Sequence, residues 1–286
     1  MFTARVKNQN GEELTLTQKE QKYQVISITG LDQPPAQINL TDIAGMDGAK
    51  FNSSKLQTRN IVITLKINND AEENRFELYH YFRAKENLTF YYKSASVDVF
   101  INGYVETVEC VIFSNSETMQ VSIICPFPYF SAIDEIIADI SNQVAAFTFP
   151  FSIEHDTPIP FSYYLRNRNT YIYNAGVETG LTIEIDILGS GINNVKIIDA
   201  VTGAFIEVQY DFEDGDRISI TTLKGQKSIR LTRSGEIINI FGAVQPGSTF
   251  LQLANGANEF GYSINNGDKD EFVFIKFRYY NLFRGV

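Results

Sequence analysis

Tryptophan is absent from this 286-residue chain, and histidine and cysteine occur only twice each. Each shortage removes a class of function. Histidine is the usual general base, and two copies leave little room for one. Cysteine and histidine nowhere cluster at zinc-ligand spacing. A sugar site that stacks its substrate on an indole is ruled out, although tyrosine could serve instead. No stretch approaches 18 consecutive apolar residues, so no membrane span is expected. The N-terminal MFTARVKNQNGEEL lacks the charged-then-apolar layout of a signal peptide, so none is expected. Positive charge is also short: 24 Lys and Arg stand against 34 Asp and Glu, a formal net charge of −10. The 12 basic and 15 acidic residues before position 130, and the 12 and 19 after it, make both parts acidic. Neither part has the bulk charge of a nucleic-acid or anionic-membrane binder.

What the chain does have is β-forming material. It carries 22 Phe, 15 Tyr and many Ile and Val, with an apolar share of 44% that suits a real core. The length favours two domains over one large one. Gln24–Thr29, Asn60–Ile67 and Leu88–Tyr92 are β-branched or aromatic runs that predict strands. Tyr104–Phe113 and Met119–Cys125 predict a hairpin around a turn at Ser114–Glu117. Its register would pair Cys110 with Val121 and Cys125 with Glu106. The two cysteines would then share a face roughly 13 Å apart along the strand, too far for a disulfide. They read as buried, reduced thiols. Asn69–Ala84 predicts one amphipathic helix, with Asn and Asp as cap candidates, Glu72 and Glu73 in its first turn, and a stripe of Ala71, Leu78, Tyr79 and Phe82. Ala132–Val144 is a second helix candidate, through Ile136, Ile137 and Ile140, or else an ordered linker. Beyond it, strands are predicted over Phe147–Ile153, Leu181–Leu188, Val195–Asp199, Phe205–Tyr210, Arg217–Thr221, Ser228–Thr232, Glu236–Ile240 and Phe272–Tyr279. Their number and spacing argue for a sandwich of jelly-roll type.

The search for catalytic, cofactor or metal residues yields none. His80 lies between Tyr79 and Tyr81 within the predicted helix and reads as packing or surface. His155, in the loop Glu154-His155-Asp156-Thr157-Pro158, has acidic neighbours but no nucleophile and orienter assembled around it. Asp211–Asp216 invites a calcium reading, but the position an EF-hand loop needs for its bidentate Glu is Thr222, so an acidic turn is expected. Asn265–Glu271 reads as a hairpin tip, and Gly189-Ser190-Gly191 lacks the strand–glycine–helix setting of a phosphate loop. Two carboxylates meeting across a cleft could still make a glycosidase.

The order of features in residues 1–130 resembles the N-terminal domain of phage distal tail (Dit) proteins, siphovirus-type tail components. A strand and Gly30 lead into the Pro-containing Leu31–Pro35, followed by Ala44-Gly45-Met46-Asp47-Gly48 and by Arg59 opening IVITLKI. Then come the helix around Arg75–Phe82, Gly103-Tyr104-Val105, and the exit Cys125-Pro126-Phe127-Pro128-Tyr129-Phe130. Asn174-Ala175-Gly176, Val201-Thr202-Gly203, Gly215-Asp216, Gly247–Leu251 and Gly256–Phe260 resemble turns of the same family's C-terminal jelly roll. The resemblance implies a mainly β fold: an N-terminal ring-forming, sandwich-like domain with one α-helix over 1–130, and a galectin-like jelly-roll sandwich over 131–286. It implies a structural, non-enzymatic baseplate protein, a hexameric homo-oligomer whose extended arms wrap neighbours. The implied ring joins the tail tube to the tail-associated lysin or hub and to receptor-binding proteins. It implies a place at the virion tail tip after assembly in the host bacterial cytoplasm, with DNA passing through the lumen. No cofactor, membrane or specific nucleic-acid binding is expected, and the acidic balance of the chain would suit a lumen through which DNA slides without sticking. Two alternatives stay open: the same ring in a phage-derived bacteriocin or injection particle, and a carbohydrate-binding adhesion module acting through the jelly roll.

Overall fold

The computed structural model describes residues 3–19, 22–114, 116–145, 162–166, 169–265 and 271–286, with the backbone alone for 141–145 and 162–166. It is mainly β and divides into two compact units. One comprises Met1–Ile133 together with Leu282–Val286, the other Asp134–Asn281.

The first unit contains strands β1 (Thr3–Asn8), β2 (Glu13–Leu16), β3 (Tyr23–Thr29), β4 (Ala36–Asp42), β5 (Ala49–Leu56) and β6 (Arg59–Ile67). Helix α1 (Ala71–Tyr81) follows, then β7 (Asn87–Lys93), β8 (Asp98–Val111), β9 (Thr118–Cys125) and β10 (Phe130–Ala132). An antiparallel sheet runs in the order β2-β1-β7-β8-β9-β6-β3, and β10 bridges β8 to the last strand, Leu282–Phe283. Period-2 alternation puts Ile61, Ile63, Leu65, Val121, Ile123 and Phe90 on one buried face. Leu78 and Phe82 pack onto that core, with Ala71 and Tyr79 partly buried beside them, as the predicted stripe requires. The helix is shorter than its periodicity suggested. Asp70 occupies the N-cap position without a side-chain hydrogen bond, and Asn74 Nδ2 instead donates to the carbonyls of Asn68 and Asn69.

The predicted cysteine hairpin forms, with two corrections. Cys110 pairs with Met119 rather than Val121, a shift of two residues that preserves the face. A bulge between Val105 and Thr107 inserts Glu106, so the inner face runs through Val105 and resumes at Val108. Both cysteines are free thiols. The helix candidate over Ala132–Val144 is also corrected, because this stretch is extended. Its isoleucines favour a pleated surface, and Ile136 and Ala138 pair with Tyr279 and Phe277 in the second unit.

The second unit holds β11 (Ile136–Asp139), β12 (Ser141–Ala145), β13 (Ser162–Arg166), β14 (Asn169–Asn174), β15 (Thr182–Ile187) and β16 (Ile192–Asp199). It continues with β17 (Phe205–Phe212), β18 (Arg217–Thr221), β19 (Ser228–Arg233), β20 (Glu236–Asn239), β21 (Gly256–Ile264) and β22 (Val273–Tyr279). The strand expected over Phe147–Ile153 lies outside the described residues. Two sheets, β11-β22-β15-β18-β19-β20 and β14-β21-β16-β17, enclose one core, and β12 pairs with β13. Ile183, Ile185, Ile218 and Ile220 face Val195, Ile197, Ile206 and Val208 across it, while the rings of Phe260 and Phe277 stack at 5.4 Å. This is the sandwich that the strand spacing predicted.

Its turns explain the residue types at the turn motifs. Buried Asn174 accepts the Gly176 N–H at 2.9 Å and donates to the Val177 carbonyl at 2.8 Å. Asp199 accepts the N–H groups of Val201 and Thr202 ahead of Gly203, whose φ is +73°. Asn258 ties the bend before β21 by accepting the Ala254 N–H at 2.9 Å and donating to the carbonyls of Ala254 and Gly256.

Candidate assembly interface

The sequence-predicted chemical candidates stay apart. His80 is exposed on α1, 2.8 Å from a Glu12 oxygen and 2.7 Å from Arg83. The Glu12 carboxyl is held below its ordinary value by hydrogen bonds from Asn8 and His80. His155 lies outside the described residues, as do 266–270 of the Asn265–Glu271 tip. Gly189 lies against the ring of Phe272 and Gly191 turns with φ +76°, with no helix following.

Asp211–Asp216 forms the expected turn, and its last carboxylate is an ion-pair anchor. Arg233 donates to both Asp216 oxygens, at 2.9 and 2.6 Å, and to Glu213 at 2.7 Å, while the Glu213 N–H donates to Asp216 at 2.8 Å. Burial alone would raise the Asp216 pKa. The Arg233 and backbone hydrogen bonds outweigh it and leave the carboxyl below its usual range. Among the described residues no group of His, Cys, Asp and Glu could hold a metal ion, and no helix is long and apolar enough to cross a membrane.

The feature that stands out is a ribbon rather than a pocket. Among the described residues, strands β4 and β5 pair with each other alone, as a two-stranded sheet. At the base the Gln57 N–H donates to the Pro35 carbonyl at 2.8 Å. At the tip Gly45 and Gly48 supply φ values of +82° and +85°, which side-chain-bearing residues rarely adopt. Seven residues of strand give the ribbon a length of about 20 Å.

Cross-strand partners share a face, so the register assigns the two sides. Ala36 pairs with Leu56, Ile38 with Ser54, Leu40 with Phe51 and Asp42 with Ala49, which makes one face mostly apolar, with Ser54 within it and Asp42 at its tip end. Gln37 pairs with Lys55, Asn39 with Ser53 and Thr41 with Lys50, which makes the other polar and basic. A bulge between Asn39 and Leu40 absorbs the extra residue and keeps Phe51 beside Leu40. On the polar side Asn39 donates to Ser53 at 2.9 Å and Asn52 to Thr41 at 2.6 Å. The apolar side is open to solvent: Ile38 is 58% exposed, Leu40 57% and Phe51 59%, with Ile43 and Met46 exposed at the tip.

A lone two-stranded ribbon is marginal in water, and a contiguous exposed apolar face marks an interaction surface. Among the described residues no strand pairs with either outer edge, which leaves both open to strand addition. Sequence reasoning marked the glycines of the tip and missed the ribbon. Its strands, AQINLTD and AKFNSSKL, are too polar to read as core, and the bulge breaks their alternation.

Residues 174–279 match the family model described as siphovirus-type tail component, C-terminal domain, which bears out the resemblance over that region. The fold is similar to the crystal structure of the Dit protein of phage SPP1, described as a paradigm of the hub adsorption apparatus in phages infecting Gram-positive bacteria. The TM-score is 0.66 at 15% identity, covering 97% of this chain and 98% of that one. A chain from the phage P2 baseplate in its activated conformation with calcium gives a TM-score of 0.49 at 11% identity, covering 97% and 98%. No curated protein sequence matches.

Proposed function

We propose that this chain is a structural component of a phage tail tip, a distal tail protein whose first unit builds a hexameric ring. The exposed apolar face of the β4–β5 ribbon carries this reading. A surface of that kind needs a partner, and a second copy supplies one without any further component. An arm projecting from one side of a subunit onto a different patch of the next makes a heterologous contact, and such a contact closes into a ring when its rotation divides a full turn. The family match over 174–279 and the whole-chain likeness of fold to the SPP1 protein support the assignment.

In this reading the second unit, a galectin-like jelly roll, carries receptor-binding proteins. One ring face meets the tail tube and the other the tail-associated hub, at the virion tip. The role is architectural, without catalysis. The acidic balance of both parts of the sequence suits a lumen through which DNA slides without adhering. Negative-stain electron microscopy of the concentrated protein tests the ring: six-fold annuli are expected, and fields of single particles with no closed ring would count against it.

One observation favours a second reading, glycan binding by the jelly roll. Tyr171 and Tyr173 project, exposed, from one face of β14, and Asn169 donates to Glu259 at 2.8 Å beside them. A glycan array probed with the full chain separates the two: retention on cell-wall sugars that is lost in Tyr171→Ala/Tyr173→Ala supports it, and blank arrays reject it.

A further inference from the structure

One residue ties the leg of the arm to two other parts of the first unit at once. Arg59 opens β6, two positions beyond the base of the arm, and is 1% exposed. Its guanidinium donates to main-chain carbonyls from three distant parts of the chain. Two belong to the incoming leg of the arm, Gly30 and Asp32. A third is Pro128, at 2.9 Å, in the segment by which the chain leaves the first unit. The fourth is Arg284, in the segment by which it comes back. The ring of Phe130 lies 4.5 Å from the same guanidinium.

The returning segment presses on the arm as well. The Val286 N–H donates to the Leu31 carbonyl at 3.1 Å. A Cβ on Gly285 would come within 3.1 Å of the Asp32 carbonyl carbon and 3.2 Å of the Leu31 oxygen, so tail and leg are in close backbone contact. Phe283 and Leu282 pair with Phe130 and Ser131, which joins the outgoing and returning strands directly.

We propose that Arg59 and the tail Leu282–Val286 form a latch that sets the direction of the β4–β5 arm and couples it to both links with the second unit. A planar fork of donors suits this task, because it engages several carbonyls at once in fixed directions; a lysine ammonium, a point charge on a flexible stem, does not. A merely space-filling core residue would leave the arm's direction untouched, since the ribbon itself contributes nothing to the core. The consequence for assembly rests on the ring reading above; the direction of the arm does not.

Pulsed electron–electron distance measurements on the full chain test the latch. Nitroxides at Asp47→Cys on the arm tip and Gln120→Cys on β9, with Cys110→Ser, report the arm's direction. Adding Phe51→Ser releases the arm from any second copy, so the result stands whether or not rings form. With Arg59 present a narrow distance distribution is expected. Arg59→Lys should lose it, and so should Gly285→Val, which wedges the tail away from the leg at Leu31 and Asp32 while leaving Arg59 in place and decides the matter if the Lys variant does not fold. Leu88→Ala, a core truncation on β7, should keep the narrow distribution. Narrow distributions in both latch variants would overturn the proposal, and so would equal broadening in Leu88→Ala.

Discussion

Replacing Phe51 by Ser should weaken self-association without weakening the fold. Phe51, Leu40 and Ile38 are each more than half exposed on the apolar face of the arm, and none belongs to the core. Seating that face on a neighbour would remove on the order of 100 Å² of apolar surface per side chain, worth roughly 2–3 kcal/mol each as an upper bound. Absolute affinities do not follow from area, because association also costs rigid-body and side-chain freedom. The difference between two variants largely cancels those costs. Taking about 2 kcal/mol for the lost ring, each contact weakens by roughly 30-fold. A subunit in a closed ring donates one arm and receives another, so the effect compounds around the ring. Sedimentation velocity over a concentration series reads the shift, and a thermal melt followed by circular dichroism confirms that the monomer is unchanged. Leu40→Ser combined with Phe51→Ser should move the midpoint further. Lys50→Ala and Lys55→Ala, on the opposite face, should move it by less than about 0.5 kcal/mol in equivalent terms. Assembly of Phe51→Ser at the wild-type concentration would refute the assignment of this face as the contact.

Other perturbations test the framework that carries the arm. Gly30 has φ +83°, and a Cβ there would lie 2.0 Å from the Asn60 carbonyl oxygen, so Gly30→Ala should cost at least ~3 kcal/mol in denaturant unfolding. A cost near zero would show that this turn is misplaced. Arg233→Met strands the buried Asp216 carboxylate, whereas Asp216→Asn leaves Arg233 able to reach Glu213 and solvent, so the first should lower the melting temperature more. Because the folded Asp216 pKa is depressed, its contribution is complete above the ordinary aspartate pKa and lost as pH falls through the folded value. In wild type that loss belongs to the acid limb of a pH–stability profile; Asp216→Asn should flatten it, and an unchanged limb would contradict the assignment. Burial raises the Cys110 thiol pKa and pushes Cys125 up to about 11. Mass spectrometry after iodoacetamide treatment should therefore show slow alkylation at Cys110 and none at Cys125 until unfolding, and equal rates would contradict the packing of β9.

Legibility in the sequence followed how local each cause is. Asn60–Ile67 reads as a strand by its β-branched run and Leu181–Leu188 by its strict alternation, and β6 and β15 differ from those bounds by a residue or so. The strands expected over Arg217–Thr221 and Ser228–Thr232 pair around Leu223–Gln226, with Gly225 at φ +83° and Thr221 opposite Ser228, because turn chemistry is contained in a few neighbours. Ala132–Val144 misled because three isoleucines fit a helical spacing by position, while the partner that makes them strands, Val273–Tyr279, lies far along the chain. The resemblance implied extended arms without saying where, and the strands Ala36–Asp42 and Ala49–Leu56 escaped notice because exposure, not hydrophobicity, distinguishes them. Arg59 stood out only as the residue before an apolar run. Its role depends on carbonyls at 30, 32, 128 and 284, and no local pattern joins those positions.

The most direct test of the ring is the mass of the purified protein in solution, by light scattering at several concentrations. Six chains of 32.3 kDa, about 194 kDa, should appear as concentration rises, and Phe51→Ser should shift that species to higher concentration. A mass of 32.3 kDa at every concentration, for wild type and variant alike, would contradict a self-assembling ring.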